Sequence, residues 1–404
     1  MVKIIERKEY LRQLISWKDK QVIKVVTGVR RCGKSTLMKL YQEYLKKQGV
    51  LAEQIVSINF EDYDYVDLLE PKSLYAYVKG KILPNKMTYF FFDEIQNVKD
   101  YERIVDSLYI KPNVDIYITG SNAYMLSSDL ATLLSGRYIE IKMLPLSFKE
   151  YVDASGDEYD LARKYRRYIE TSSFPYTLAL TQQPDNIRDY LNSIYNTIVV
   201  KDIAQRNKFP DTMMLESVLR FAYDNIGNIL STKKIADTMT SDGRKIDTKT
   251  VEKYLLALIE CFMLYQCKRY NIKGKQYLKT LDKYYAVDMG MRQMLLGSKS
   301  MDAGHILENV VYLELLRRGY NVYIGKVGDL EVDFVAMNDK GMTYYQVSAS
   351  VRDSQTLKRE LASLQSINDH FPKILLTLDE DPEMFYEGIH QVNALDWLLG
   401  KVEC

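Results

Sequence analysis

The stretch VIKVVTGVRRCGKSTL, residues 22–37, decides which fold the first part of the chain is expected to adopt. Its apolar, β-rich beginning predicts a buried strand, and a helical pattern follows Ser35. Between them stands Gly28-x-x-x-x-Gly33-Lys34-Ser35, the spacing of a phosphate-binding loop between a strand and a helix. The glycines let successive backbone N–H groups face phosphate oxygens at the positive end of the helix dipole. The residues expected around the phosphates are Gly28, Val29, Arg30, Arg31, Cys32, Gly33, Lys34, Ser35 and Thr36.

A second motif, YFFFDE at residues 89–94, has the character of a buried parallel strand that ends in two acids. Together with the loop upstream it resembles a Walker B motif. That resemblance implies ATP as the bound nucleotide, with Mg²⁺ held by Asp93 and by the Ser35 hydroxyl. Lys34 would reach the β- and γ-phosphates, and Glu94 would polarise the attacking water.

Three further strands are predicted at residues 55–59, 115–118 and 138–143, separated by segments long enough for crossover helices. Five strands in this order resemble the core of AAA+ ATPases. The resemblance implies an α/β fold with a parallel sheet over residues 1–145 and a small helical lid over residues 146–210.

Two more positions follow from the AAA+ resemblance. The strand after Walker B ends in a polar sensor in that family, and here Asn122 matches best, while Ser121 and Thr119 stay open. An arginine just before the fifth strand reaches the nucleotide of a neighbouring subunit, and Arg137 stands at that position. The resemblance therefore implies a homo-oligomer. A second sensor arginine is left open among Arg163, Arg166, Arg167 and Arg188.

Residues 211–295 change to a compact helical pattern followed by a basic hairpin around residues 271–275. Helix, turn, helix and hairpin resemble a winged helix-turn-helix domain. Such a wing would lie along the phosphates of DNA, whereas the alternatives are a solvated hairpin or a wing that packs on another domain. The basic residues of segment 264–285 are Lys268, Arg269, Lys273, Lys275, Lys279 and Lys283, and DNA contact is assigned to Lys268, Arg269, Lys273 and Lys275.

Residues 296–404 show a helix, three strands, a helix and a strand, an order that resembles the PD-(D/E)xK nuclease core. The family chemistry needs Mg²⁺ between carboxylates beside a lysine. Asp333 and Glu308 match two of the acids, but Gln346 and Ser348 replace the second strand acid and the lysine. The segment also carries ten Lys+Arg against seventeen Asp+Glu, which repels a polyanion. We therefore expect an inactive nuclease-like domain that contacts a protein partner.

Composition excludes several other classes of protein. The 404 residues suggest two to four domains of about 100–200 residues each, and a net charge of +1 argues against bulk nucleic-acid binding. No apolar stretch approaches the roughly 18 residues of a membrane span, and the charged start MVKIIERKEY is unlike a signal peptide. We expect a cytoplasmic protein without membrane contact. The four cysteines form no CxxC pair, so neither a disulfide framework nor a zinc site is indicated.

Taken along the whole chain, the motifs resemble a prokaryotic family of AAA+, archaeal-type P-loop ATPases with a winged helix and a degenerate nuclease-like tail. The expected function is a Mg²⁺-dependent ATPase whose nucleotide state controls assembly or domain packing on DNA or a DNA-bound protein. The alternatives are an ATP-gated scaffold or signalling switch that never touches nucleic acid, and an ATP-driven nuclease.

Overall fold

The structure is a computed structural model that describes residues 4–123, 134, 136–156, 159–180, 183–278, 281–297 and 303–402. The chain divides into two compact units. The first comprises Met1–Pro145 with Glu260–Phe262, and the second comprises Leu146–Ile259 with Met263–Cys404. The boundaries predicted at 210 and 295 fall inside the second unit and remain predictions.

The first unit is built on a five-stranded sheet in which every neighbouring pair of strands is parallel. The strand order is β2-β3-β4-β1-β5, so β1 lies between β4 and β5. Parallel strands end at the same edge of a sheet, and the polar residues that follow β1, β3 and β4 therefore meet there. The strands are β1 (Ile23–Thr27), β2 (Ile55–Asn59), β3 (Thr88–Asp93), β4 (Val114–Gly120) and β5 (Tyr138–Lys142), which confirms the five predicted ones.

Helices cover both faces of this sheet. On one face Phe90 and Phe92 of β3 join a buried cluster that includes residues of α3 and α4. On the other face Phe91 and Tyr117 stack with ring centroids 4.8 Å apart, and Tyr41 of α2 lies against them. The continuous apolar run of β3 is thus explained by burial on both sides. The helices are α1 (Lys8–Ser16), α2 (Lys34–Lys47), α3 (Pro71–Lys81) and α4 (Tyr101–Tyr109).

The second unit contains helices followed by two antiparallel or mixed sheets. Its helices are α5 (Phe148–Ser155), α6 (Leu161–Thr171), α7 (Pro184–Asn196), α8 (Thr212–Asp224), α9 (Thr232–Ser241), α10 (Thr248–Glu260), α11 (Met289–Leu296), α12 (Ala303–Arg317), α13 (Ser354–Gln365) and α14 (Ala394–Leu399). Its strands are β6 (Ile229–Leu230), β7 (Leu264–Cys267), β8 (Arg269–Asn271), β9 (Gln276–Tyr277), β10 (Asp282–Ala286), β11 (Asn321–Val327), β12 (Leu330–Asn338), β13 (Gly341–Ser348), β14 (Lys373–Thr377), β15 (Met384–Tyr386) and β16 (Ile389–Asn393).

The predicted basic hairpin is divided between these two sheets. Strands β6, β10 and β7 form a small antiparallel sheet, whereas β8 and β9 belong to an eight-stranded sheet in which β8 runs parallel to β11. Strand β8 of the hairpin therefore pairs with another part of the second unit, whereas the turn at residues 273–275 is exposed.

Lys283, counted among the six basic residues of segment 264–285 but not among the four assigned to DNA, is not on the surface. Lys283 lies on β10 with 3% of its surface exposed, because its side chain points into a set of carboxylates. Lys268, Lys273 and Lys275 are exposed, Arg269 is half-buried, and Lys279 lies outside the described residues.

The elements predicted after residue 296 are present in the predicted order, as α12, β11, β12, β13, α13 and β14. Beyond them the chain adds β15, β16 and α14, which were not predicted. In the part of the chain that the structure describes, no helix is both long and apolar enough to span a membrane.

Candidate nucleotide-binding site

The loop between β1 and α2 has the backbone that its glycines predict. Gly28 has φ +147° and Gly33 has φ +107°, values that residues with a side chain rarely adopt. A Cβ atom at Gly28 would also lie 2.1 Å from the carbonyl oxygen of Met143. Only glycine fits at position 28, and α2 begins directly after Gly33 at Lys34.

Lys34 is buried under this loop. Its ammonium donates hydrogen bonds to the carbonyl oxygens of Gly28 (2.9 Å) and Val29 (3.3 Å) and lies 3.7 Å from a carboxylate oxygen of Glu94. Four per cent of the Lys34 side chain is exposed, so its charge is concentrated inside the loop. A phosphate bound by the loop would meet this ammonium.

The two acids of the second motif stand at the carboxyl end of β3 beside Lys34. Burial raises the pKa of Asp93, although hydrogen bonds with Ser35 and Thr119 oppose the shift. Burial also opposes ionisation of Glu94, but the Lys34 ammonium and the Gln96 amide outweigh it and lower the pKa of Glu94. Glu94 is therefore an ionised carboxylate near neutral pH, which is the form that accepts a proton.

A threonine on the neighbouring strand joins these two acids. The Thr119 hydroxyl donates to Asp93 and accepts a hydrogen bond of 2.9 Å from the backbone N–H of Glu94. Ser121 donates to the Glu94 carboxylate over 3.2 Å. The Asn122 amide contacts the sulfur of Cys261 at 3.7 Å instead. Of the three sensor candidates left open by the sequence, Thr119 and Ser121 contact the acids directly.

We expect Thr119→Val to lower ATP turnover by about tenfold, at the low end of the effect of removing a partner of a metal ligand. The substitution keeps the shape of the side chain but removes the hydroxyl that orients Asp93. Thr119→Ser, which keeps the hydroxyl, should retain most of the activity. Steady-state turnover of both variants, with melting curves as a folding control, tests this. A larger loss in Asn122→Ala than in Thr119→Val would favour Asn122 as the sensor.

The remaining loop residues differ in their surroundings. Arg30 forms an ion pair with Glu61 at 2.9 Å, whereas Arg31 is exposed with φ +68°. Cys32 is buried, and burial raises the pKa of its thiol, so it is a structural residue and not a reactive one. Ser35 and Thr36 are exposed at the start of α2.

A buried arginine that the sequence did not single out supports the loop from outside. Arg7 donates hydrogen bonds to the carbonyl oxygens of Cys32 (2.9 Å) and Leu144 (2.7 Å). Only 2% of its surface is exposed. It thereby connects the loop to the segment that follows β5. A lone arginine 21 positions before Gly28 carries no sequence signal of this role.

Arg137 lies directly before β5, at the amino ends of the parallel strands, whereas the loop lies at their carboxyl ends. Its guanidinium forms an ion pair with Asp106 and lies 5.4 Å from the centre of the Tyr109 ring, and 40% of its side chain is exposed. The length of the strands separates Arg137 at their amino ends from Lys34 at their carboxyl ends. Arg137 therefore does not belong to the site of its own chain.

The residues at the loop fit a bound magnesium ion. The Ser35 hydroxyl and the Asp93 carboxylate are hard oxygen donors in mutual contact, and a cation beside them would offset the burial that raises the pKa of Asp93. These two residues would hold Mg²⁺.

Two acids that match the nuclease pattern come together in the second unit, apart from the nucleotide site of the first unit. Glu308 and Asp333 both face the ammonium of Lys283, at 3.0 and 3.8 Å. Among the described residues, no group of three or more acidic, histidine or cysteine side chains has an arrangement suited to a metal ion.

A glycine-rich loop after β1, an Asp-Glu pair at the end of β3 and a parallel sheet of order 2-3-4-1-5 are typical of the P-loop core of AAA proteins. The family model described as an AAA domain matches residues 20–152. A second family model, a domain of unknown function (DUF8612), matches residues 162–302.

The chain is 40% identical over 400 residues to an uncharacterized protein of Haemophilus influenzae, covering 98% of this chain and 99% of that protein. It belongs to the family of that protein. An uncharacterized protein of Methanocaldococcus jannaschii is 28% identical over 332 residues, which cover 78% of this chain and 72% of the relative. Among solved structures, a Walker-type ATPase of Pyrococcus abyssi superposes with a TM-score of 0.53 at 16% identity, covering 72% of this chain and 96% of that one. This likeness shows a shared fold.

Proposed function

We propose that this protein is a Mg²⁺-dependent ATPase whose nucleotide state controls assembly or domain packing, with DNA or a DNA-bound protein as its target. The proposal rests on the contacts at the carboxyl ends of the parallel strands. There, four side chains meet beside the glycine-rich loop: Lys34, Ser35, Asp93 and Glu94. These are the groups that phosphoryl transfer to water needs.

The reaction follows from the roles of these side chains. Water attacks the γ-phosphorus, the bond from that phosphorus to the oxygen bridging to the β-phosphate breaks, and ADP and phosphate leave. Glu94 accepts the proton of the attacking water. Lys34 offsets negative charge on the phosphate oxygens in a site with little water. Mg²⁺, when bound by Ser35 and Asp93, supplies further charge neutralisation.

Release of phosphate from ATP by the purified full chain tests the ATPase proposal. Turnover should require Mg²⁺ and should disappear when EDTA removes the ion. It should be measured with no nucleic acid, with duplex DNA and with single-stranded DNA. Turnover equal to that of Lys34→Ala protein under all three conditions would contradict the proposal.

Assembly of several chains is the second part of the proposal, and the position of Arg137 supports it. Since Arg137 lies at the edge away from its own loop and is 40% exposed, the nucleotide it can serve is that of a neighbouring subunit. Before the subunits assemble, the Asp106 carboxylate and the Tyr109 ring hold the Arg137 guanidinium in place.

Arg137→Ala protein and Lys34→Ala protein should each turn over ATP slowly, and a mixture of the two should regain part of the activity. In a mixed assembly, an intact loop of one variant lies beside an intact Arg137 of the other. Turnover of the mixture, alongside sedimentation to show that the chains co-assemble, tests this. Failure to recover in protein that does co-assemble would contradict the role of Arg137.

DNA binding is proposed for the exposed cations of the hairpin. Lys273 and Lys275 flank Gly274 at its turn, which a hydrogen bond of 2.9 Å from the Gly274 N–H to the Asn271 side chain stabilises. Lys268 is also exposed. Each cation that neutralises a phosphate contributes about −0.9 to the slope of log affinity against log salt concentration.

Changing Lys273 and Lys275 together to Glu should abolish binding to duplex DNA at low salt, because two attractive charges become repulsive. Wild-type binding should be modest, sensitive to salt and largely independent of sequence. A titration by fluorescence anisotropy measures both proteins. Lys340→Glu with Lys358→Glu is the matched control, since it changes the net charge equally at two other exposed lysines of the same unit.

One observation favours a second function, an ATP-gated scaffold or signalling switch that does not bind nucleic acid. The hairpin strand β8 is hydrogen-bonded to β11, so part of the predicted wing serves to pack the second unit together. Absence of DNA binding by wild-type protein at low salt, with and without ATP, would make this the better proposal.

A further inference from the structure

A cavity of about 870 Å³ in the second unit lies between α12, β12, β13 and α13. We call it the carboxylate cavity, because its wall includes the acids Glu308, Glu331, Asp333 and Glu360. Apart from these, its lining includes Gln346 and the ammonium of Lys283. The lysine comes from β10 of the small three-stranded sheet, whereas the four acids come from α12, β12 and α13.

Lys283 contacts three of these four acids, whereas the fourth, Glu360, forms an ion pair with Arg359 of the cavity rim at 2.8 Å. Its ammonium lies 2.7 Å from Glu331, 3.0 Å from Glu308 and 3.8 Å from Asp333, and 4% of its side chain is exposed. Burial disfavours a charged lysine, but the three carboxylates outweigh burial and raise the pKa of Lys283. The ammonium is therefore permanently charged, and it is the cation around which these acids are arranged.

The other groups that a metal ion would need are already engaged. The Gln346 side-chain oxygen accepts from the Ser363 hydroxyl at 3.1 Å, and its amide donates to Glu360 at 2.7 Å. One oxygen of Asp333 accepts from the backbone N–H of Val347 at 2.8 Å. The Ser348 hydroxyl donates to the carbonyl oxygen of Ser350 at 3.1 Å.

These contacts do not fit the magnesium ion that the nuclease resemblance implies. A divalent cation takes about six oxygen ligands, and it would have to share Glu308 and Asp333 with an ammonium group a few ångströms away. The repulsion between two such cations in a buried site is strong because little water screens it. The position between Glu308 and Asp333 is thus taken by a cation of the chain itself, the Lys283 ammonium.

We infer that the Lys283 ammonium replaces the metal ion that the nuclease resemblance implies. The carboxylate cavity therefore excludes divalent cations. In addition, Lys283 fastens β10 to α12 and β12 through its ion pairs. Further bonds between β10 and α12 support the fastening role. The Tyr285 hydroxyl donates to Glu308 at 2.6 Å, and the Asn309 side chain exchanges two hydrogen bonds with the backbone of Ala286, at 2.8 and 2.9 Å.

The inference explains why the chain departs from the nuclease pattern at two positions. With an ammonium from β10 in place, a lysine at position 348 would add a second positive charge, and Ser348 avoids it. An acid at position 346 would add a further negative charge beside Glu360, whereas the Gln346 amide donates to that carboxylate.

Replacing Lys283 with methionine tests the inference, since methionine is unbranched and only one atom shorter than lysine but carries no charge. The variant should melt at a lower temperature than wild type in EDTA, because its acids lose their counter-charge. Mn²⁺ at a hundredfold excess over its Kd should then raise the melting temperature by about 5 °C or more. Adding Asp333→Asn should remove this rise. In wild type and Lys283→Arg, any difference in melting temperature between Mn²⁺ and EDTA should come from the P-loop and should not change when Asp333→Asn is added.

Mn²⁺ titration followed by electron paramagnetic resonance, without nucleotide, provides a second readout. Asp333→Asn leaves Ser35 and Asp93 intact, so manganese at the P-loop persists in it and only cavity-bound manganese is lost. Asp333→Asn should therefore bind as much Mn²⁺ as wild type. Wild-type protein should also leave plasmid DNA uncut. Asp333-dependent Mn²⁺ binding by wild type, or a Lys283→Met protein that gains no Mn²⁺, would overturn the inference. If Lys283→Met is insoluble in both conditions, the comparison of wild type with Asp333→Asn still decides it.

Discussion

Replacing Glu94 with glutamine should leave ATP bound and slow its hydrolysis by a factor on the order of 10² or more, the scale of lost general-base catalysis. Glutamine has nearly the same shape and still accepts hydrogen bonds from Gln96 and Ser121, which contact Glu94 in the structure. It cannot accept the proton of the attacking water. Binding of a fluorescent ATP analogue and single-turnover hydrolysis measure the two effects separately.

Lys34→Ala is the control that separates binding from chemistry. It removes the ammonium that faces the phosphates, so it should weaken binding itself, whereas Glu94→Gln should not. Undiminished turnover in both variants would show that this edge of the sheet is not the active site. Weakened ATP binding in Glu94→Gln would instead mean that the carboxylate mainly holds Lys34 in place.

The first unit could be predicted well because its signals are local. The strand predicted at residues 55–59 has the same bounds in the structure, and the run from residue 89 ends at Asp93 as expected. Loop, strand and helix follow one another within sixteen residues at 22–37, so no long-range contact is needed to recognise them. Lys34, Asp93 and Glu94 are brought together by parallel pairing, which the order of strands implies.

The residues that the sequence did not assign owe their roles to contacts between distant segments. Arg7 supports the loop through carbonyl oxygens, which any residue provides. Thr119 was an open candidate because the end of a strand does not show which hydroxyl faces Asp93. Lys283 was counted with a basic hairpin, since its counter-charges lie on α12 and β12, far along the chain. Most lysines are exposed, so a lysine is predicted to lie on the surface unless the carboxylates that pair with it can be recognised in the sequence.

The same reasoning applies to Lys24, which interrupts the apolar strand β1. Its ammonium is fully buried and lies 2.5 Å from a carboxylate oxygen of Asp115, 91 residues away in the sequence. The other oxygen of Asp115 accepts hydrogen bonds from the Tyr117 hydroxyl (2.8 Å) and the backbone N–H of Asp19 (3.0 Å). The pair lies towards the amino end of the strands, away from the nucleotide, so its role is in stability.

Asp115→Ala should therefore destabilise the first unit by about 3–5 kcal/mol, because it leaves the Lys24 ammonium buried without a counter-charge. At about 2–4 °C per kcal/mol, its melting temperature should fall by roughly 10 °C. The double variant Lys24→Met/Asp115→Leu should melt closer to wild type, since two apolar side chains pack where two charges had to be desolvated. Melting curves of wild type, Lys24→Met, Asp115→Leu and the double variant measure the coupling. Losses that simply add in the double variant would show that the two charges do not stabilise each other, and that each side chain contributes through its other contacts.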